Sequence, residues 1–202
     1  NPAVYGPGAT TTNTNQRRTL YLQNAAQGVY YGTIGQIDDT RRSNYNAMLL
    51  SLQGPLRGNL SVLGNYTVSK CMGGPATNEI TGPTIMNPAD PDLDYAYCSS
   101  DRRHLVNLSM VWRTPDFSGT KTRAFLSGWQ LSPIIRYQSG SHSTVTLGVD
   151  NALTGMGNQR PVQILDDPYG DGTPANFINR AAFTSPAPGT YSTLKPFTIL
   201  NP

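Results

Sequence analysis

The sequence predicts an all-β chain, an antiparallel meander of a transmembrane β-barrel that supplies part of the barrel, with long extracellular loops. Three observations predict it: period-two alternation of apolar and polar residues in separate runs, connections that alternate short and long, and a polar but nearly uncharged composition. Hydrophobic residues make up 37% and charged residues 13% of the 202 residues, about half the charged share of a soluble domain, while Gly (20), Pro (16) and Tyr (11) are abundant. Something other than charge must match this chain to its surroundings. Strands that turn apolar side chains to lipid and polar ones to a lumen do so.

Residues 1–27 carry Pro, Gly, Thr and Asn without sustained period and read as irregular loop. The run GVYYGTIGQI at 28–37 has the β-formers Val29, Tyr30, Tyr31, Thr33 and Ile34 and predicts a first strand, ended by Asp38, Asp39 and Thr40. In NYNAMLLSLQ, from residue 44, Met48, Leu50 and Leu52 share one face against Ala47, Leu49, Ser51 and Gln53. A turn at 54–58 leads to NLSVLGNYTVSK, where Leu60, Val62, Tyr66 and Val68 oppose Ser61, Leu63, Asn65, Thr67 and Ser69. The two runs make a period-two hairpin.

After a long segment at 71–101, RHLVNLSMVWR sets Val106, Leu108, Met110 and Trp112 against Asn107, Ser109 and Arg113. A connection at 115–127 leads to GWQLSPIIRYQSG, where Trp129, Leu131, Ile135 and Tyr137 oppose Gln130, Ser132, Arg136 and Gln138. Pro133 cannot donate a ladder hydrogen bond, so a bulge or an interrupted ladder is expected there. STVTLGV at 143–149 reads as a further short strand. Residues 150–202 are loop-rich with short turns, and no window supports a well-capped helix. The expectation is a single partial-barrel region over 1–202, with strands in 28–149.

The connection lengths run short at 54–58, long at 71–101, moderate at 115–127 and long after 139, as in barrels with short periplasmic turns and long outer loops. Tyr66, Trp112, Trp129 and Tyr137 fall near strand ends, where an interfacial aromatic girdle would place them. A water-soluble β-sandwich with those aromatics in its core is the competing reading.

Cys71 and Cys98 flank a Pro/Gly/Asp-rich loop and suggest one disulfide, about 3 to 4 kcal/mol of unfolded-state entropy and an oxidising, extracytoplasmic compartment. The alternative is two free thiols; two Cys without clustered His make no zinc site. A net charge of +3, with Arg17-Arg18, Arg41-Arg42 and Arg102-Arg103 scattered as loop or interface charges, gives no nucleic-acid footprint. No run reaches the roughly 20 apolar residues of a transmembrane helix. No signal peptide is visible, so the chain reads as a fragment or a mature product.

The stretches SNYNAMLLSLQ, LSVLGNYTVSKC, CSSDRRHLVNLSMVW, SGWQLSPIIRYQSG, GVDNALTGMGNQRP and NRAAFTSPAPGTY, in that order, resemble the C-terminal barrel region of Oar-like TonB-dependent receptors. The resemblance covers about 21–191. It implies a large outer-membrane barrel with an N-terminal plug, energised by an inner-membrane TonB complex for uptake of a scarce substrate. It also implies that Ser61, Asn65, Ser109 and Arg136 face the lumen and that the Cys71 to Cys98 segment is an extracellular loop. The sequence departs from that family in lacking plug, TonB-contacting segment and most strands, and in ending on STLKPFTILNP. Alone it would not transport. A sheet cut from a barrel has open edges that pair with other chains, so a self-assembling β-rich fibre or adhesin, built from copies of itself, is the second reading.

Enzymatic chemistry is not expected. His104 and His142 are isolated, no G-x-S-x-G elbow occurs, and no Gly-rich stretch continues into Lys-Ser/Thr. Asp166, Asp167 and Asp171 in DDPYGDG are candidate calcium ligands, preferred over Asp90, Asp92 and Asp94, against the plainer reading of acids that cap their own turns. No other cofactor is expected. The sequons at Asn59, Asn65 and Asn107 lie inside expected strands and read as by-products of alternation. The residues expected to meet lipid, or identical faces of neighbouring copies, are Leu60, Val62, Leu108, Met110, Trp112 and Leu131.

Overall fold

A computed structural model describes residues 1–35, 42–56, 58–74, 85–157 and 159–202. In chain order the strands are β1 (Ser43–Leu56), β2 (Leu60–Gly73), β3 (Ala96–Tyr97), β4 (His104–Arg113), β5 (Gln130–Leu131), β6 (Ile134–Gln138), β7 (His142–Ser143), β8 (Val162–Gln163), β9 (Phe183–Thr184) and β10 (Ile199–Leu200). Among the described residues three short α-helices accompany them, α1 (Thr19–Gln23), α2 (Ala25–Gly28) and α3 (Thr120–Leu126), besides single 3-10 turns. Contacts divide the chain into two compact units. The first comprises Asn1–Asn44, Cys71–Ser100 and His142–Asn201, and the second Tyr45–Lys70, Asp101–Ser141 and Pro202.

The second unit holds the alternating runs, and they form one sheet. β1 neighbours β2, β2 pairs antiparallel with β4, and β4 pairs antiparallel with both β5 and β6. The register between β2 and β4 runs from Leu60 opposite Trp112 to Val68 opposite His104. The expected turn at 54–58 is shorter than its sequence suggested, because β1 continues through Pro55 to Leu56. Pro55 sits near the end of β1, which has a partner strand on one side only among the described residues, the kind of edge position where proline is tolerated. Gly58, at φ 76°, supplies the left-handed position that reverses the chain. Arg57 lies outside the described residues.

Pro133 interrupts the next strand as expected. The ladder breaks between β5 and β6, and the Pro133 carbonyl still accepts from the Met110 N–H at 3.1 Å. The connection from β4 to β5 contains α3, where the sequence predicts no helix. Its seven residues, TKTRAFL, are mostly good helix formers, too few to show a 3.6-residue period.

The first unit is built from loops, two-residue strand pairs and single helical turns. The expected strand at 28–37 does not form over 28–35, and residues 36–40, with its proposed terminator, lie outside the described residues. Gly28 closes α2 instead, and a Cβ on it would stand 2.4 Å from the Tyr21 Cα. The N–H groups of Tyr30 and Tyr31 go to the carbonyls of Gln27 and Gly28 at 3.2 and 3.1 Å. β-branched and aromatic residues favour a strand only where a partner strand exists. The expected strand at 143–149 also shrinks, to β7, which pairs with β10. Beyond it the Leu147 N–H turns to the Gln159 carbonyl at 2.8 Å and Gly148 takes φ 74°. The segment 1–27, expected to be irregular, contains α1 and the start of α2.

Polar anchors hold this unit together. Arg160 and Asp94 are buried, with Nη1 to Oδ1 at 2.6 Å. The remaining Arg160 nitrogens donate to the carbonyls of Leu194 (2.7 Å) and Leu93 (3.1 Å), and Asp94 Oδ2 accepts from the Met86 N–H at 2.9 Å. Every strong group of the pair is thus satisfied, which makes its burial tolerable. Arg18, read from sequence as a loop charge, is buried and donates to the Asn1 carbonyl at 2.7 Å and the Thr33 hydroxyl at 2.8 Å. Arg17 likewise donates to the carbonyls of Val4 and Leu153, at 2.6 and 2.7 Å.

Candidate functional site: an apolar and a polar sheet face

Alternate side chains of a strand point to opposite faces, so register decides which residues of neighbouring strands share a face. Leu60 lies opposite Trp112, and Trp112 opposite Leu131. Val62 faces Met110, and Gly64 faces Leu108, which in turn faces Ile135. Tyr66 faces Val106, which faces Tyr137. All six residues expected to form an apolar surface, Leu60, Val62, Leu108, Met110, Trp112 and Leu131, therefore sit on one face of one sheet. Leu50 and Leu52 of β1 border the hollow that Gly64, Tyr66, Val106 and Leu108 also line.

The face is open at its margins and covered at its centre. Trp112 is 42% and Leu131 51% exposed, Leu60, Leu108 and Met110 are half-buried, and Val62 is only 8% exposed. Val62 is the one member of the six not presented to the surroundings.

The aromatic residues mark two levels. Tyr66 and Tyr137 stand at the level of Val106, and Trp112 lies six residues further along β4, about 20 Å at 3.4 Å per residue. Trp129 lies beyond it, its carbonyl accepting from the Thr114 N–H at 2.9 Å. At the tyrosine level the Tyr66 hydroxyl meets His104 Nδ1 at 2.8 Å, with the two rings nearly parallel. His104 is therefore engaged in a cross-strand contact. At the opposite level Phe125 and Leu126 of α3 are exposed, and the Trp129 indole N–H donates to the Phe125 carbonyl at 2.8 Å.

The other face is predominantly polar. Asn65 and Asn107 are directly opposed, as are Asn107 and Arg136. Ser51 Oγ donates to Asn65 Oδ1 at 2.8 Å, and Arg136 Nε donates to Asn107 Oδ1 at 3.2 Å. Asn65, Arg136, Ser61 and Ser109, the residues that resemblance assigned to a lumen, all share this face. Leu63, Leu105, Val111 and Ile134, together with Leu49 of β1, interrupt its polarity; Leu49 and Leu63 already fall on this side in the sequence alternation, and register adds the others.

Cys71 and Cys98 form a disulfide with Cα atoms 5.4 Å apart. They continue the β2–β3 register by one pair beyond Met72 and Tyr97, and the Cys98 N–H donates to the Cys71 carbonyl at 3.1 Å. The stapled loop spans 27 positions; residues 75–84 lie outside those described.

The candidate calcium ligands are not brought together. Among the described residues no group of three or more His, Cys, Asp or Glu is arranged to hold a metal ion. Asp167 Oδ1 accepts from the Tyr169 N–H at 2.9 Å, and Asp171 Oδ1 accepts from the Thr173 hydroxyl and N–H at 2.7 and 2.9 Å. These bonds to Thr173 hold the Asp171 carboxyl below its ordinary pKa. Asp167 and Asp171 each cap their own turn. His142 stacks on Tyr97, ring centroids 4.2 Å apart. No helix among the described residues is long and apolar enough to cross a membrane.

The family model described as an outer membrane beta barrel domain matches residues 1–202. No curated protein and no solved structure matches the chain.

Proposed function

This chain belongs to the outer membrane beta barrel domain family and is a protein of the bacterial outer membrane, and from that premise we propose that it is wall and loop of a TonB-dependent receptor that takes up a solute. The observation that carries the reading is the register that gathers Leu60, Met110, Trp112 and Leu131 on one sheet face, with Ser61, Asn65, Ser109 and Arg136 on the other. The apolar face meets lipid and the polar face lines the lumen. β1 and β2, of 14 residues each, exceed the roughly 9–11 that a tilted strand needs to cross. The resemblance of the ordered motifs to those of Oar-like receptors supports energised uptake over a passive pore. A plug, further strands and an inner-membrane TonB complex are the partners, and the chain is a conduit wall with no enzymatic role.

One observation favours a second reading. The outer edge of β1 has no partner strand among the described residues, and such an edge recruits either the next barrel strand or another copy. Crosslinking in intact cells, followed by purification of the tagged native protein in nonionic detergent, separates the two. Detergent-dependent particles carrying crosslinked TonB are expected. Ordered filaments obtained without detergent would replace the receptor reading with a self-assembling surface fibre.

A further inference from the structure

We infer that the polar face carries two stations for an oxyanion, Arg136 and Arg113, and that the solute passing this wall bears carboxylate or phosphate-type groups. The inference rests on the reading of that face as a lumen.

Both arginines are positioned without being neutralised. Arg136 donates through Nε to Asn107 Oδ1 at 3.2 Å, and Arg113 through Nε to Gln130 Oε1 at 3.1 Å. In each case the residue beside it across the strands, Asn107 or Gln130, is a neutral amide. The two terminal nitrogens of each guanidinium make no hydrogen bond among the described residues, and both side chains are exposed. An amide tether through Nε leaves the forked Nη edge open, the edge that binds carboxylate or phosphate bidentately.

The surroundings keep that edge available. β1, β2, β4, β5 and β6 contain Lys70, Arg113 and Arg136 but no Asp or Glu. The whole second unit holds eight Lys or Arg and two Asp, although the chain carries only +3. The remaining charge is therefore acidic and belongs to the first unit. Basic side chains along a lumen are the usual device for drawing anions through a pore.

Neutral donors and acceptors extend the Arg136 station. Asn107, Asn65 and Ser51 continue its row across three more strands, each linked to the next by a hydrogen bond or by direct opposition. Such a row suits hydroxyls flanking an acidic group. Arg113 sits six residues from Asn107 on β4, about 20 Å further along the wall. The stations thus contact successive acidic groups, or one group in succession.

The test is equilibrium dialysis of radiolabelled citrate and of inorganic phosphate against the full chain in nonionic micelles, with uncharged trehalose as the control probe. Saturable citrate binding is expected, weakened by salt, and reduced about tenfold or more by Arg136→Gln and by Arg113→Gln. Asn107→Ala, which keeps the charge and frees the tether, gives an intermediate loss. Arg123→Gln, on α3 and off the sheet, leaves binding unchanged. Circular dichroism of each variant checks that the sheet is kept. A folded, detergent-dependent chain that binds citrate no better than trehalose, or loses as much on Arg123→Gln as on Arg136→Gln, overturns the inference and leaves the barrel intact. Filaments formed without detergent overturn the lumen reading itself.

Discussion

Leu108 on β4 covers Gly64 on β2: the two are directly opposed, and Leu108 Cδ1 stands 3.4 Å from where a Cβ on Gly64 would lie. The missing side chain lets Leu108 settle onto the backbone of the neighbouring strand, between Leu50, Leu52 and Tyr66 around the same hollow. At 3.4 Å an added methyl makes ordinary contact. Gly64→Ala is therefore expected to be tolerated and to stabilise by about 0.4–1 kcal/mol through the unfolded chain. Gly64→Leu drives into Leu108 and lowers stability. Urea midpoints of the two variants in the same micelles check the difference in sign.

The Cys71–Cys98 staple closes a loop of 27 positions, which on the chain-entropy model is worth about 3 to 4 kcal/mol. Reduction, or Cys71→Ser with Cys98→Ser, should lower the urea midpoint correspondingly. A non-reducing gel shift that disappears on reduction, with an unchanged midpoint, would show that the bond forms but contributes nothing to stability.

The buried Arg160 and Asp94 pair predicts an asymmetry between single and double substitution. Arg160→Met leaves the Asp94 carboxylate without its counter-charge at 3% side-chain exposure, with the Met86 N–H its remaining partner, a loss of about 3–5 kcal/mol. Arg160→Met with Asp94→Leu removes both charges and should recover part of that loss. Chemical denaturation of the two variants measures the coupling, and equal losses would contradict it.

Alkaline pH should act on Tyr191. Burial raises its pKa above the ordinary 10.0, the nearby Asp150 charge raises it further, and the Thr154 hydroxyl, 2.9 Å away, opposes the rise. A group whose folded pKa is raised favours the protonated fold. Its contribution is fully present below pH 10 and disappears as pH climbs through the folded value. Tyr191→Phe has no proton to lose and is expected to hold its stability further into alkali than the parent. Coincident alkaline midpoints would contradict this.

How far the sequence could be read follows from which rule governs each element. β1, β2, β4 and the split strand around Pro133 were legible because side-chain period and the missing proline donor are local properties. The sharing of one face by Leu60, Met110, Trp112 and Leu131 followed once strands with that period were paired in the observed register. The opposition of Cys71 and Cys98 was legible from their flanking positions. The first unit was not. Val29, Tyr30 and Tyr31 have strand propensity but no partner strand among the described residues, and Arg18 and Arg160 are buried by carbonyls from distant segments. α3 was too short to show a period. On the polar face, the alternating residues were visible in sequence, whereas the amide tethers of Arg113 and Arg136 depend on which residues fall opposite.

In the proposed receptor wall the apolar face meets lipid and the polar face meets water. Single spin labels placed in turn at 105–112 of β4, in the chain reconstituted in lipid bilayers, test this most directly. Accessibility to oxygen should peak at even positions, with Trp112 highest and Leu108 and Met110 above their neighbours, while accessibility to a water-soluble nickel chelate should peak at Asn107 and Ser109. A period of two with the opposite phase, or chelate access at every position, would contradict the account.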